Sequence, residues 1–450
     1  MCTKNDKRTT VLLGAGAALE LSPDGIKWPT TENITRSIID EYPKGYDLES
    51  HKEYDITLLK DIYEHLCSSY RPSLDPNADG SAGKVHFEIL FHILEMLETY
   101  SRSWRTTTHQ KHKAPFAPFI CLDNFHCNEN DFFMASRHLL SKIYDMVYSY
   151  DSHFMTDRND WYRNFWSGRR GAWDIFNLNY DTTIEQSLRD YEDGFEFLPE
   201  EPHFMRFNAN KLLENKERLS TVNHIHGCIS FGPGRYADIN HDAYDYEHHD
   251  MYKWPTAEEA HERWLGQSSG NYEAQNGQTV IQGPIITGLS KTEKTTCLPY
   301  DIYRQNLYNS IKKNNSLLIA GYSFGDKYIN HIFYRMSQMH GDRKRIVIID
   351  FWDIAKYIRE LNDDDGSEYD VNNIHPRIFD SFFYEEISNG EELMFIKRVA
   401  HHDTAVWKHF DHLSLTEPMV SDNGQLMLLI GGMKHSLENY TNEIYRFLNS

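Results

Sequence analysis

Residues 9–16, Thr-Thr-Val-Leu-Leu-Gly-Ala-Gly, carry the pattern that decides the fold. The apolar run Val11–Leu13 ends at two glycines, which is typical of a short buried strand that turns at once into the next element. A strand that is apolar on both faces belongs in the middle of a parallel sheet, because helices cover both sides of such a sheet. The stretch therefore predicts a central parallel strand followed by a glycine turn.

Further short apolar runs follow along the chain, and helical patterns separate several of them. The predicted strands are Trp173–Leu178, Thr221–Ile225, Val280–Thr287, Ser316–Ala320 and Arg345–Asp350, with a further candidate at Leu426–Ile430. Strands that alternate with helices predict an α/β fold, here a Rossmann-like parallel sheet with helices on both faces.

Two segments interrupt this alternation. Residues 52–166 carry helical patterns and predict a helical insertion or subdomain. Residues 231–278 are polar and rich in Tyr, His and acidic residues, which predicts a polar insertion with one or two helices. We expect the sheet and both insertions to form one domain over residues 1–350. Residues 351–450 are expected to form a C-terminal α/β extension for docking or oligomerisation.

Composition and charge exclude several classes of protein. Lys and Arg number 46 against 67 Asp and Glu, which gives a net charge of −21. Such a surface repels a phosphate backbone, so we expect no direct binding of nucleic acid. The 6 cysteines include no Cys-x-x-Cys pair, so neither a disulfide framework nor a zinc cluster is predicted. No apolar run reaches the ~18 residues of a membrane span, and we expect a soluble cytoplasmic protein.

Glycines and polar residues follow four of the predicted strands at their carboxyl ends, where a parallel sheet binds its ligands. These four motifs are Gly14-Ala15-Gly16, Asn179-Tyr180-Asp181, His226-Gly227 and Gly321-Tyr322-Ser323-Phe324-Gly325-Asp326. Glycines let the backbone approach a ligand, Asn and Asp can orient a hydroxyl group or a water molecule, and His can act as a general base.

Each motif also has a structural interpretation. The glycines fit a tight turn, Asp181 fits a helix N-cap, and His226 is one of 24 histidines. The Gly-x-Ser-x-Gly pattern also leaves open a serine hydrolase built on Ser323.

Taken in chain order, the four motifs resemble the sirtuin family and its NAD site. The segment Trp28-Pro29-Thr30-Thr31 is similar to the proline-containing loop of that family. The sirtuin-like domains of bacterial anti-phage defence are the closer resemblance, through residues 321–333 (GYSFGDKYINHIF) and residues 286–291. The chain departs from sirtuin deacetylases at two points, since it lacks their four zinc cysteines and the Arg of their Phe-Arg pair after Pro29.

The resemblance implies that NAD⁺ is the substrate and that no zinc is bound. His226 would be the general base, and Asn179 would position water or the ribose hydroxyls. The other implied contacts are Gly14, Ala15, Gly16 and Ala18 at the diphosphate, Asp181 in the nicotinamide pocket, and Gly321 and Ser323 on the adenosine side. Asp350, at the end of a predicted strand, could accept hydrogen bonds from the adenosine ribose, as acidic residues do in other dinucleotide sites.

The resemblance further implies an NAD⁺ glycohydrolase that depletes NAD⁺ during anti-phage abortive infection. Constant activity of this kind would be toxic, so regulation is expected. It would act through a homo-oligomer, a hexameric DNA-translocating ATPase as partner, or a phage-derived trigger. An NAD-dependent protein deacylase and a non-catalytic nucleotide-sensing subunit remain open as alternatives. The missing zinc cysteines disfavour the deacylase.

The lack of a four-cysteine cluster predicts that folding and activity do not need zinc. Dialysis against a chelator should leave both the melting temperature and the NAD⁺ turnover of the purified protein unchanged. Elemental analysis that finds one equivalent of tightly bound zinc per chain would contradict this prediction.

Overall fold

The computed structural model describes most of the chain. The described residues are 8–21, 29–47, 51–69, 85–102, 129–155, 157–168, 171–215, 219–233, 250–265, 271–273, 279–281, 283–288, 291–365, 394–396, 399, 410 and 414–450. The strands are β1 (Thr9–Leu13), β2 (Lys44–Asp47), β3 (Lys52–Asp55), β4 (Trp173–Asn177), β5 (Tyr191–Glu192), β6 (Phe195–Leu198), β7 (Glu201–Phe207), β8 (Ser220–His224), β9 (Phe231–Gly232), β10 (Tyr252–Lys253), β11 (Asn271–Glu273), β12 (Thr279–Ile281), β13 (Ser316–Ala320), β14 (Arg345–Ile349), β15 (Met419–Val420) and β16 (Leu426–Leu429). The helices are α1 (Thr31–Asp40), α2 (Leu58–Ser69), α3 (Phe87–Arg102), α4 (Glu129–Asp151), α5 (Asp160–Gly168), α6 (Thr183–Ser187), α7 (Ala209–Glu214), α8 (Ala257–Leu265), α9 (Lys291–Lys294), α10 (Tyr300–Lys313), α11 (Lys327–His340), α12 (Ile354–Asp365) and α13 (Met433–Asn449).

The main sheet has eight strands in the order β15-β16-β14-β13-β1-β4-β8-β5. Its neighbouring strands are parallel except at the edge pair of β15 and β16. When β1, β4, β8, β13, β14 and β16 are numbered 1 to 6 in chain order, they lie in the spatial order 3-2-1-4-5-6. This is the doubly wound order of dinucleotide-binding sheets, and its connections reverse direction between β1 and β13. The predicted Rossmann-like fold is confirmed.

Helices cover both faces of this sheet. The Thr10 hydroxyl lies 2.7 Å from the hydroxyl of Ser310, which places α10 on one face. Thr10 is in register with Leu317, so the neighbouring Ser316 points to the opposite face. Ser316 there donates to the Leu448 carbonyl at 2.7 Å, which places α13 on that second face. The strands between the helices are buried almost completely, as their continuous apolar sequences predict.

The segments outside the sheet form smaller units. Helices α2 to α5 lie in the predicted helical insertion, which begins within the β2–β3 hairpin. A second, antiparallel sheet has the order β6-β7-β10-β9 and includes part of the predicted polar insertion. The C-terminal segment adds β16 to the main sheet beside β14, in register from Ile346 with Leu426. Its docking or oligomerisation role stays a prediction.

The strand predicted over Val280–Thr287 is wrong. The structure contains only the short strand β12 at this point, and β12 pairs with β11 outside the main sheet. Ile285 and Ile286 are buried because their segment crosses the loop after β8, where the Ile286 N–H donates to the His226 carbonyl at 2.7 Å. Ile285 and Ile286 are therefore apolar because they are buried against the edge of the sheet, although they do not form one of its strands.

None of the helices in the described residues is long and apolar enough to cross a membrane.

Two glycine turns meet where the sheet reverses direction. The N–H groups of Gly14 and Gly16 donate to the carbonyls of Ala320 and Gly321, both at 2.9 Å. A Cβ atom on Gly14 would lie 2.4 Å from the Gly321 oxygen, and one on Gly16 would lie 2.8 Å from the Gly321 Cα. Gly321 itself has a φ of +57°, and its Cβ would lie 2.0 Å from the Ala17 nitrogen. Backbone packs directly on backbone here, so a side chain cannot be accommodated at these positions.

Gly321→Ala should therefore lower the free energy of unfolding by about 3–5 kcal/mol, because steric overlap adds to a left-handed backbone conformation. Two controls separate these causes. Gly341 has a φ of +52° and open space around its Cβ position, so Gly341→Ala should cost about 1–2 kcal/mol. Gly325 has its nearest neighbouring atom at 3.8 Å, so Gly325→Ala should stay within about 0.5 kcal/mol of wild type. Urea unfolding measures the loss of unfolding free energy in each of the three variants. Equal losses for Gly321→Ala and Gly341→Ala would contradict the role of steric overlap at Gly321.

Candidate active site

The predicted site residues follow neighbouring parallel strands at one edge of the main sheet. The order across that edge is the loop after β8 (His226), the loop after β4 (Asn179), the turn after β1 (residues 14–16), the loop after β13 (residues 321–326) and the end of β14 (Asp350). The connections reverse direction between β1 and β13 at this edge, and doubly wound sheets bind ligands at such a point. The ends of β4 and β14 lie three strand spacings apart, about 14 Å.

Most backbone N–H groups in the turn after β1 make hydrogen bonds within the protein. Gly14 and Gly16 donate to the loop after β13, and Ala17 donates to the Gly14 carbonyl at 3.0 Å. The segment then forms a 3₁₀-helix over Ala15–Leu21, in which Ala17 and Ala18 are buried. The Ala15 N–H has no intramolecular acceptor among the described residues. It is the donor in this turn that a diphosphate can use, and the other glycines act by close packing.

Asn179 joins the turn after β1 to the loop after β4. Its Nδ2 donates to the Gly14 carbonyl at 3.0 Å, and its own N–H donates to the Asn177 side chain at 3.0 Å. The side chain is thereby fixed, and it is 9% exposed. Its Oδ1 receives no hydrogen bond from the described part of the chain, so this oxygen is available to accept from a water molecule or a ribose hydroxyl.

His226 is held in the loop after β8 and is buried, with 7% of its surface exposed. Its Nε2 lies 3.3 Å from Oδ2 of Asp326. Burial lowers the pKa of His226 below its ordinary value, and the charge of Lys291 lowers it further, while Asp326 opposes both effects. His226 is therefore neutral near pH 7, which is the protonation state that a general base needs.

Asp326 is the residue that the sequence analysis quoted within its motif without giving it a role. Burial alone would raise its pKa, but the hydrogen bond and charge of His226, the Ile329 N–H and the charge of Lys291 lower the pKa to about 2. An ionised carboxylate therefore faces the histidine at every pH near neutrality. The loop after β13 places it there, although β13 and β8 are separated by two strands.

An ion pair from other elements lies within electrostatic range of His226. Lys291 on α9 donates to Glu88 Oε1 on α3 at 2.7 Å, and both side chains are 25% exposed. Lys291 favours the neutral form of His226, and Glu88 favours the protonated form. The sequence does not predict that this ion pair lies near His226, because Glu88 is in the helical insertion, about 140 residues before His226 along the chain.

Both carboxylate oxygens of Asp181 accept hydrogen bonds from within the protein. Its Oδ1 accepts from the Thr183 N–H at 3.1 Å at the start of α6, and its Oδ2 accepts from the Tyr150 hydroxyl at 2.6 Å. The residue is 1% exposed. It thus forms the Asx turn that the sequence also suggested ahead of α6, and a role toward nicotinamide stays a prediction.

Ser323 and Asp350 lie on the β13 and β14 side of the point where the sheet reverses direction. Ser323 is exposed in the loop after β13, two residues from Gly321. Asp350 directly follows β14, and its Oδ1 accepts from the Phe351 N–H at 2.8 Å. Burial raises the pKa of Asp350 to about 6, although hydrogen bonds from Phe351 and Trp352 favour the ionised form. Asp350 is thus ionised at pH 7 and becomes neutral in mild acid.

One group of metal-ligating residues occurs in the described residues, and it does not fit a structural zinc site. Glu185, His224 and Cys228 are buried, with ligand atoms within 4.8 Å of one another. His224 Nε2 already bonds Glu185 at 2.7 Å, and the Lys253 ammonium lies 3.8 Å from the same carboxylate. Burial would lower the pKa of His224, but Cys228 and Glu185 raise it well above its ordinary value. Structural zinc needs four protein ligands, and this group supplies three.

A family model described as a SIR2-like domain matches residues 174–369. The match covers less than half of the chain and runs from β4 to just beyond α12. It includes Asn179, His226, Ser323 and Asp350, whereas the glycine turn after β1 lies outside it. No curated protein matches the chain.

The position and titration of Asp350 predict a pH-dependent affinity for NAD⁺. Ionised Asp350 can accept from the adenosine ribose, so the Michaelis constant should rise as the pH falls below about 6, where the carboxyl group gains a proton. Asp350→Ala should raise the Michaelis constant more than it lowers turnover, because this contact is the same in ground and transition states. Steady-state kinetics on NAD⁺ between pH 5 and 8 measures both effects.

Nicotinamide mononucleotide is the control substrate, because it lacks the adenosine. Its Michaelis constant should not change in Asp350→Ala. A loss of turnover at saturating NAD⁺ with an unchanged Michaelis constant would instead place Asp350 among the reacting groups.

Proposed function

The chain carries a sirtuin-like domain, and we propose that this domain hydrolyses NAD⁺ to nicotinamide and ADP-ribose. The observation that carries the proposal is the pairing of His226 and Asn179 at the ends of adjacent parallel strands. A neutral, buried histidine and a fixed amide oxygen at neighbouring strand ends suit the activation and placement of one water molecule. The SIR2-like match supports NAD⁺ as the substrate.

The reaction breaks the bond between the anomeric carbon of the ribose and the nicotinamide nitrogen. The electron pair of that bond leaves with nicotinamide, which is cationic in the substrate and departs neutral. An oxygen of water bonds to the anomeric carbon, and its proton passes to His226. The protein has to position the water molecule and the ribose, and acid assistance to the leaving group is unnecessary.

The order of groups across the sheet edge supports one orientation of NAD⁺, with its nicotinamide end at β8 and β4 and its adenosine end at β14. His226 and Asn179 lie at the ends of β8 and β4, and the turn after β1 follows with the Ala15 N–H. Ser323 and Asp350 lie beyond it, at β13 and β14. Nicotinamide ribose, diphosphate and adenosine follow in the same order along an extended NAD⁺ molecule. We therefore place the scissile bond over β4 and β8.

Three alternatives make distinct predictions. A protein deacylase would consume NAD⁺ only with an acylated lysine peptide, so release of nicotinamide without peptide argues against it. A serine hydrolase built on Ser323 would lose activity on activated esters in Ser323→Ala, while NAD⁺ cleavage by a sirtuin-like mechanism would survive. A nucleotide-sensing subunit would bind NAD⁺ without cleaving it.

The biological setting is part of the proposal. We propose that NAD⁺ depletion serves anti-phage defence and that assembly or a partner restrains it, because unrestrained depletion would kill the cell. A homo-oligomer, a hexameric DNA-translocating ATPase and a phage-derived trigger are the proposed regulators. Activity measured in the presence and absence of a candidate partner tests each of them.

The decisive experiment compares His226→Ala and Asn179→Ala with wild type in one NAD⁺ assay. Each variant should lower turnover on the order of 10²–10⁴-fold, the range for loss of a general base or of a positioning contact. The double variant should lose little more than the more damaging single variant, since both residues act on one reacting centre. Chromatography of nicotinamide and ADP-ribose measures turnover.

Thermal melting on the same preparations separates catalysis from folding. His331→Ala serves as a control because His331 is exposed on α11, and this variant should keep wild-type turnover. Wild-type melting together with full NAD⁺ cleavage in His226→Ala would remove the proposed mechanism. Cleavage that falls only with the folded fraction would assign both residues to structure.

A further inference from the structure

The carboxylate of Asp326 divides its two oxygens between two elements. Its Oδ1 caps α11, where it accepts from the N–H groups of Tyr328 at 2.9 Å and Ile329 at 3.3 Å. Its Oδ2 faces the Nε2 of His226 at 3.3 Å. The capping bonds fix the orientation of the carboxylate, so the second oxygen is aimed at the histidine by the helix itself.

Tyr322 holds the backbone of the same residue. Its hydroxyl accepts from the Asp326 N–H at 3.1 Å, lies 3.0 Å from the Asp326 carbonyl, and donates to Asn330 Oδ1 at 2.9 Å. Asn330 in turn donates to the Phe324 carbonyl at 2.7 Å. Hydrogen bonds of Tyr322 and Asn330 therefore hold the loop after β13 in one conformation, and this fixes the position of the Asp326 carboxylate.

An ionised carboxylate can only accept hydrogen bonds, so the His226 nitrogen that faces it must carry the proton. A neutral imidazole with a proton on Nε2 has its lone pair on Nδ1. No described residue hydrogen-bonds that Nδ1. We propose that Asp326 is a positioning residue that fixes this tautomer of His226 and makes Nδ1 the atom that takes the proton of the attacking water. This inference rests on the proposed function and names the atom that performs it.

The charged groups that face His226 act in opposite directions. Asp326 and Glu88 stabilise the protonated imidazole, whereas burial and Lys291 stabilise the neutral one. Removal of the Asp326 charge should thus shift the acidic limb of the pH profile to lower pH. Removal of the Lys291 charge should shift it to higher pH. A residue with a purely structural role would shift neither.

Asp326→Asn is the sharpest variant because the shape of the side chain is retained. Asn is as good an N-cap as Asp, so its Oδ1 stays on α11 and its Nδ2 faces the histidine. Nδ2 is a donor, so His226 must then accept at Nε2 and carry its proton on Nδ1. The basic atom is lost, and turnover should fall on the order of 10²–10⁴-fold with little change in melting temperature.

Asp353→Asn is the matched control. Asp353 also caps a helix, through the Lys356 N–H at 3.0 Å, and its side chain is exposed at the start of α12. The same chemical change at this cap should leave turnover and the pH profile at wild-type values. A fall in melting temperature that is equal in both variants would measure the effect of replacing an Asp helix cap with Asn.

The tautomer can be measured without activity. Ring ¹⁵N chemical shifts of protein labelled at histidine, assigned by comparison with His226→Gln, should show a proton on Nε2 in wild type and on Nδ1 in Asp326→Asn. The pH profiles of Asp326→Asn and Lys291→Gln should shift in opposite directions. The same tautomer in both proteins, or wild-type turnover in Asp326→Asn, would overturn the inference. An inactive wild type would instead count against the proposed function and leave the tautomer measurement as the test of Asp326.

Discussion

The contact between two glycine turns is the constraint on which the rest of the site depends. Gly14 and Gly16 pack against the backbone of Gly321 at the point where the sheet reverses direction. This contact brings the loops after β1 and β13 together without side chains between them, so both can lie beside one ligand. Asn179 is then tied to the same turn through the Gly14 carbonyl. Backbone contacts thus set the two glycine turns, and one side-chain amide ties the loop after β4 to them.

The electrostatics of the site are local and differ from the charge of the whole chain. A net charge of −21 would favour protonated histidines, yet burial keeps His226 neutral. Desolvation disfavours the charged form of any group, and the nearby Lys291 adds to that effect. The opposing carboxylates of Asp326 and Glu88 limit the shift. The pKa of His226 is therefore set by burial and by neighbouring charges of both signs.

The sequence predicted the sheet well because parallel strands buried on both faces are read directly from continuous apolar runs. The strand predicted over Val280–Thr287 failed because Ile285 and Ile286 are buried across the strand ends, and burial alone does not distinguish that position from a strand. The four motifs were visible because each one directly follows a strand. Asp326 was quoted without a role, since the histidine that it contacts lies 100 residues away in the sequence. Spacing along the chain carries no information on such a contact until the loops are placed.

The helical insertion is part of the site and not an appendage to it. Helix α3 brings Glu88 to Lys291, and the end of α4 brings Asp151 and Tyr150 to the loop after β4. Asp151 accepts from the Thr182 N–H at 2.7 Å, and Tyr150 donates to Asp181, so the insertion holds the start of α6 in place. Burial and the neighbouring Asp181 charge raise the pKa of Asp151 to about 7. Such carboxylates need hydrogen-bond donors around them; Tyr150 of the insertion is the donor to Asp181, and Thr182 at the start of α6 is the donor to Asp151. Any movement of the insertion would therefore reach the loop that carries Asn179 through these hydrogen bonds.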